Sequence, residues 1–251
     1  MVTRTTTLRM LAATALVALV GCAATPPAGQ SGVRVTARAE PKAGYVQPPD
    51  GTPGYSVAPE GPEDETTARR DRFRILDYRN LDDIVVYLTP VAGVPAAAPE
   101  PPTISADAGG RGRVPTLVTT VGGELRVTNS SAEPATVYLR GEGGAVVDVG
   151  TISPGGSANA TLRTAGPVTA LRETAGPDDR PIADVFVAPP GWTGKAVGGG
   201  RVTFSPVPPG RYTLGAWHPR LPGSQRAIEL PEGKLVDETA TVGVNVLPKV
   251  P

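Results

Sequence analysis

Leu117-Val118-Thr119-Thr120-Val121-Gly122-Gly123-Glu124-Leu125-Arg126-Val127-Thr128-Asn129 decides how this chain is read. Two short runs rich in valine, threonine and leucine flank a pair of glycines, and neither run is long enough for a helix. β-Branched side chains fit the pleat of a strand, and a glycine pair permits a tight reversal between two strands.

The same texture extends in both directions. Upstream, Ile84-Val85-Val86-Tyr87-Leu88 reads as a buried strand. Downstream, strand candidates recur at Ala135–Leu139, Ala145–Val149, Ser157–Leu162, Val168–Arg172 and Asp184–Val187. Gly141-Glu142-Gly143-Gly144 and Pro154-Gly155-Gly156 supply breaks between them. A second set follows Pro189-Pro190-Gly191: Arg201–Phe204, Arg211–Trp217, Gln225–Leu230 and Leu235–Val246. Pro208-Pro209-Gly210 and Pro231-Glu232-Gly233 turn the chain between these. In the last strand Val242, Val244 and Val246 alternate with Thr241, Gly243 and Asn245, which predicts one buried and one wet face. Many short, evenly spaced strands without an amphipathic helix predict an all-β protein of sandwich type.

The N-terminus has the parts of an export signal. Arg4 and Arg9 precede an almost wholly apolar run, Leu11 to Val20, and small residues then lead to a cysteine. That run is too short to cross a hydrocarbon core of about 30 Å. Its end, Leu19-Val20-Gly21-Cys22, resembles the lipobox of bacterial lipoproteins. The resemblance implies cleavage between Gly21 and Cys22, a diacylglyceryl thioether on Cys22 and acylation of the new N-terminus. Several acyl chains, at about 0.8 kcal/mol per buried methylene, make a durable membrane anchor. Ala23 follows the cysteine, which in Gram-negative lipoproteins favours the periplasmic face of the outer membrane.

Composition restricts the chemistry. Of 24 basic and 24 acidic residues, Arg4 and Arg9 leave with the leader, so the mature chain has 22 against 24 and a net charge near −2. Such a chain has no electrostatic footprint for nucleic acid. Met1 and Met10 lie in the leader, which leaves one histidine, His218, and the single Cys22. Neither a blue-copper site nor a structural zinc site can be assembled from these in one chain. No nucleophile elbow accompanies His218. The expectation is a non-enzymatic protein without metal or cofactor, and the Asp178-Asp179 pair reads as a solvated turn or a calcium contact.

Residues 23–70 hold eight prolines and six glycines and read as a disordered tether spanning roughly 40 Å. The expected order is therefore a signal peptide (1–21), a lipidated tether (22–70), a first sandwich (71–189) and a second, smaller one (190–251).

Two further resemblances attach to these sandwiches. Gly200-Arg201-Val202-Thr203-Phe204, Val207-Pro208-Pro209-Gly210-Arg211-Tyr212-Thr213-Leu214 and Ala216-Trp217-His218-Pro219 resemble the carboxypeptidase-regulatory, transthyretin-like β-sandwich. Val85-Val86-Tyr87-Leu88, Gly122 through Asn129 and Ala165-Gly166-Pro167-Val168 resemble the cupredoxin-like Greek-key domain of methylamine-utilisation or plastocyanin-like proteins. In copper-binding relatives a histidine follows the asparagine strand, where this chain has Pro134-Ala135-Thr136-Val137-Tyr138. A cysteine and a second histidine follow the Gly-Pro strand, where this chain has Leu171-Arg172-Glu173-Thr174-Ala175. The resemblance thus implies the fold without copper or electron transfer.

Four residues are candidates for ligand contact. Trp192, Tyr212 and Trp217 form either an aromatic platform for sugar rings or a core and domain seam. His218 is either a packed, hydrogen-bonded histidine or a ligand. The functional expectation is a lipid-anchored binding or scaffold module that meets an envelope protein through its sheet edges. The alternative is binding of a polysaccharide or small ligand through the aromatics and the 190–225 loops.

Overall fold

The computed structural model describes residues 26–41, 76–92, 100–108, 114–175 and 179–244. Gly21, Cys22 and the signal peptide lie outside these residues. Among the described residues there are fifteen strands and one helical turn, Glu142–Gly144; the protein is all-β. No helix among them is long and apolar enough to cross a membrane.

The strands are β1 (Ser31–Glu40), β2 (Ile84–Pro90), β3 (Thr103–Ser105), β4 (Thr116–Thr120) and β5 (Glu124–Thr128). Next come β6 (Ala135–Gly141), β7 (Val146–Ile152), β8 (Ser157–Thr161), β9 (Gly166–Arg172) and β10 (Arg180–Ala188). The last five are β11 (Trp192–Ala196), β12 (Arg201–Val207), β13 (Gly210–His218), β14 (Leu221–Leu230) and β15 (Leu235–Gly243). The opening pair of runs became β4 and β5, with Gly122 reversing the chain at φ +85°, a conformation that favours glycine.

Four sheets make two sandwiches. In the inner one, β3-β5-β8 faces β4-β10-β9-β6-β7, and Leu125, Val127, Val137, Leu139, Ile182 and Val185 fill the space between. Period-2 alternation sends these side chains to one face of each strand. In the outer sandwich, β12-β1-β15 faces β11-β2-β13-β14 over Val33, Val35, Ile84, Leu88, Leu214 and Leu230.

This architecture corrects the expected domain order. The stretch read as a tether contains β1, the central strand of its sheet: it pairs in parallel with β15 and antiparallel with β12. Val33, Val35 and Ala37 are buried completely, which offsets the ordering entropy that a Pro/Gly-rich segment otherwise keeps. Ile84–Leu88, expected in the first sandwich, lies instead between β11 and β13 of the outer one. The inner sandwich, β3 to β10, is therefore inserted between two strands of the outer one. The outer sandwich has seven strands rather than the few expected of residues 190–251. The last strand also ends earlier than its pattern suggests: Val242 is buried, β15 stops at Gly243, and Val244 is 38% exposed. Val246 lies outside the described residues.

The two sandwiches pack sheet on sheet. β2 buries both faces, Ile84, Val86 and Leu88 toward the outer core and Val85 and Tyr87 toward the inner sandwich. There they meet Phe186 and Ala188 of β10, with Val118 of β4 and Trp217 of β13 alongside. At the rim Lys195 of β11 donates to the Thr116 carbonyl at 2.7 Å and pairs with Asp83 at 2.7 Å.

Candidate functional site

A cleft of about 490 Å³ opens at this seam. Its aromatic wall comes from three strands. Phe186 and Trp217 stack with ring centroids 4.9 Å apart and planes 19° from parallel. Tyr87 joins from β2, with its ring centroid 5.2 Å from that of Phe186. Such pairs add about 0.5–1.5 kcal/mol beyond the area they bury. Pro167 and Pro189 continue the apolar lining, and Ser224 and Gln225 of β14 form a polar rim. Gln225 Nε2 donates to the Tyr87 hydroxyl at 2.6 Å. Burial pushes the Tyr87 phenol up from its ordinary value, against the Gln225 hydrogen bond, so it stays a neutral hydroxyl at physiological pH.

The lining offers ring faces, hydroxyls, an amide and backbone, and it contains no carboxylate, imidazole, thiol or ammonium. These groups can bind and orient a neutral molecule with a flat apolar face.

The structure divides the candidate aromatics. Tyr212 and Trp217 are five residues apart on β13 and so point to opposite faces of the sheet. Trp192 makes an edge-on contact with Tyr212 at 5.9 Å against the outer core, and Tyr212 donates to the Pro208 carbonyl at 2.6 Å. Only Trp217 reaches the cleft, so the three do not form one platform. His218 is buried, and its Nδ1 accepts from the Arg220 amide at 3.1 Å. Tyr87, Phe186 and Gln225 were not singled out in the sequence. Phe186 had a signal, an aromatic at the outward phase of an otherwise continuous apolar run.

A second, more open pocket of about 570 Å³ lies at one end of the inner sandwich, among Thr136, Arg172, Glu173, Thr174, Ala175 and Arg180. The cupredoxin resemblance places its copper ligands in this region. Arg172 pairs with Asp107, whose other oxygen accepts from Ser130 Oγ at 3.3 Å. Arg180 donates to the Ala106 carbonyl at 3.2 Å, and its Nε is buried without a hydrogen-bond partner. Burial first, then the charge of Arg172, pull the Arg180 guanidinium below its usual value, against Asp107. Among the described residues no imidazole, thiol or thioether lines this pocket, and Arg172 and Arg180 are held by Asp107 and the Ala106 carbonyl, so these residues do not fit copper. Asp179, one of the two carboxylates considered for calcium, accepts instead from the Tyr138 hydroxyl. Asp178 lies outside the described residues.

No protein-family model and no curated protein matches the chain. Among solved structures, amicyanin in a Cu(I) form is similar at 18% identity over 40% of this chain and 97% of its own, with a TM-score of 0.28. An oxidized amicyanin is similar at 22% identity over 40% and 97%, also at 0.28. The Bacillus anthracis TIE protein is similar at 13% identity over 85% of this chain and 51% of its own, at 0.20. The copper is a property of amicyanin.

Proposed function

We propose that this protein is a non-enzymatic, lipid-anchored binding module of the cell envelope, held by Cys22 at the periplasmic face of the outer membrane. In this reading a cupredoxin-like body without copper ligands is inserted in a transthyretin-like one, and the seam between them receives the ligand. The observation that carries it is the aromatic wall of Tyr87, Phe186 and Trp217, bordered by an amide and hydroxyls, with no carboxylate, imidazole or ammonium among the described lining residues. That chemistry suits a neutral saccharide or a similar small ligand, whose apolar ring face stacks on Trp217 while Gln225 and Ser224 meet its hydroxyls.

The test uses Trp217 as its own reporter. A W192F variant leaves Trp217 as the sole tryptophan, and its emission is followed during titration with soluble neutral oligosaccharides. A saturable change that Q225A weakens supports the proposal. Unchanged emission with every oligosaccharide up to millimolar concentration rejects it.

A second reading, a scaffold that takes a partner strand, is favoured by β7. It is an edge of its sheet, and Val146 and Val147 at its start are 61% and 44% exposed. Exposed edges of this kind accept an added strand. Loss of in-cell crosslinks to envelope proteins in a V146K/V147K variant would support this reading; unchanged crosslinks would reject it.

A further inference from the structure

We infer that the anchored end of the outer sandwich rests against the bilayer, which holds the seam cleft above the headgroups. This rests on the lipid-anchor reading of Cys22. The first described residue, Pro26, stands four residues beyond Cys22. At 3.3–3.6 Å per residue that leash reaches about 14 Å at most. The chain is then fixed at once. Gln30 N donates to the Pro27 carbonyl at 3.0 Å, and Gly233 N to the Gln30 carbonyl at 2.7 Å. Ser31 Oγ donates to the Pro231 carbonyl at 2.8 Å, and Gly32 N to the Lys234 carbonyl at 2.9 Å. The anchor therefore pulls on the β14–β15 turn rather than on a long coil.

Strand pairing defines what else lies at this end. Ser31 is opposite Val207, so the β12–β13 turn with exposed Pro208 and Pro209 is there too. Val91, 59% exposed, follows β2 and donates its amide to the Arg211 carbonyl at 3.0 Å. Prolines and a valine meet the headgroup region here, and Arg211 and Lys234 are balanced by Glu229 and Glu232, so the contact is apolar rather than a net attraction to anionic lipid. β1 is ten residues long, about 33 Å end to end. A 14 Å leash does not let a body of that length turn its far end to the lipid. The cleft residues Ser224 and Gln225 pair with Ala216 and Gly215 midway along β14 and β13, about five residues or roughly 17 Å from the anchored end. The anchor thus keeps the cleft clear of the lipid surface.

The experiment places one fluorophore at either end of the full-length lipoprotein. K234C and R220C are labelled with an environment-sensitive dye, Cys22 being blocked by its lipid, and reconstituted in phosphatidylethanolamine/phosphatidylglycerol vesicles containing nitroxide-headgroup lipid. Quenching at 234 several-fold stronger than at 220 is expected. A spacer of thirty glycine and serine residues inserted after Ala24 should remove most of that difference. Equal quenching at both positions, stronger quenching at 220, or a difference that survives the spacer overturns the inference. Intact-mass analysis of the same samples separates this from failure of the anchor itself. A Cys22 without diacylglyceryl rejects the lipoprotein reading, and the inference with it.

Discussion

The ring of Tyr87 lies so flat against the backbone of Gly215 that a Cβ at position 215 would overlap the outer ring carbon and the hydroxyl oxygen. The two residues are directly opposite on β2 and β13, at the face that meets the inner sandwich. G215A must therefore displace the aromatic wall, at about 2–3 kcal/mol by the usual scale of overpacking. Y87F keeps the ring and loses only the contact with Gln225, about 1 kcal/mol. Chemical denaturation of both variants measures the pair; equal losses would mean that crowding at Gly215 is not what positions the ring.

Burial raises the phenols of Tyr87 and Tyr212 above their ordinary value of 10.0 in the folded chain. The folded state thus holds these protons more tightly than the unfolded one. The associated stability is complete below pH 10 and is lost as pH rises through the higher folded values. Urea midpoints followed upward through that range should fall less steeply for Y87F/Y212F than for the parent.

Asn129 is buried at the end of β5 and uses both ends of its amide. Nδ2 donates to the carbonyls of Glu133 at 2.8 Å and Ile152 at 2.9 Å, and Oδ1 accepts from the amide and hydroxyl of Ser131. N129D sets a carboxylate oxygen against two carbonyl oxygens and should lower stability by about 3 kcal/mol at neutral pH. The deficit should shrink as pH falls toward about 4, where the new acid regains a proton. A deficit independent of pH would show that the loss is not electrostatic.

Asp107 stands between two arginines, paired with Arg172 and close enough to Arg180 to act on its charge. D107N leaves the like charges facing each other. A loss of about 1 kcal/mol is expected at low ionic strength, diminishing in high salt as the repulsion is screened. Thermal melts at two salt concentrations distinguish this from a simple loss of packing, which salt would not relieve.

Val35 gives the sharpest test of β1. A side chain in a free tether contributes nothing to folding, whereas one completely buried between β12 and β15 does. V35A should lower stability by about 2 kcal/mol. No change in the denaturation midpoint would remove β1 from the core.

Much of the inner sandwich was legible because its strands are local events. Leu117–Val121, Glu124–Asn129 and Ser157–Leu162 announce themselves by alternation between glycine turns, and each matches an observed strand within a residue or two. The alternation of Val33, Val35 and Ala37 with Arg34, Thr36 and Arg38 is just as regular, but the prolines and glycines around it weighed more in a compositional reading. Ile84–Leu88 was correctly a buried strand, yet nothing within five apolar residues states which sheet they join; that is decided by β11 and β13, more than a hundred residues away. β3 and β11 had no signal of their own, being short or led by a lone tryptophan. The cleft was legible only through Trp217, since Tyr87, Phe186 and Gln225 converge there from three separated strands. The odd spacing of Tyr212 and Trp217 along one strand already pointed to opposite faces of the sheet.

The insertion of one sandwich within the other also sets a timetable. β1 is synthesised before β12 and β15, its two neighbours in the sheet, which follow only after the whole of β3 to β10. The inner unit can close on its own contacts while the N-terminal strand waits unpaired, its valines open to solvent or to a chaperone. Contacts spanning some two hundred residues, such as that of Ser31 with Pro231, form last and slowly. A chain ended before residue 201 therefore leaves β1 without either of its sheet partners.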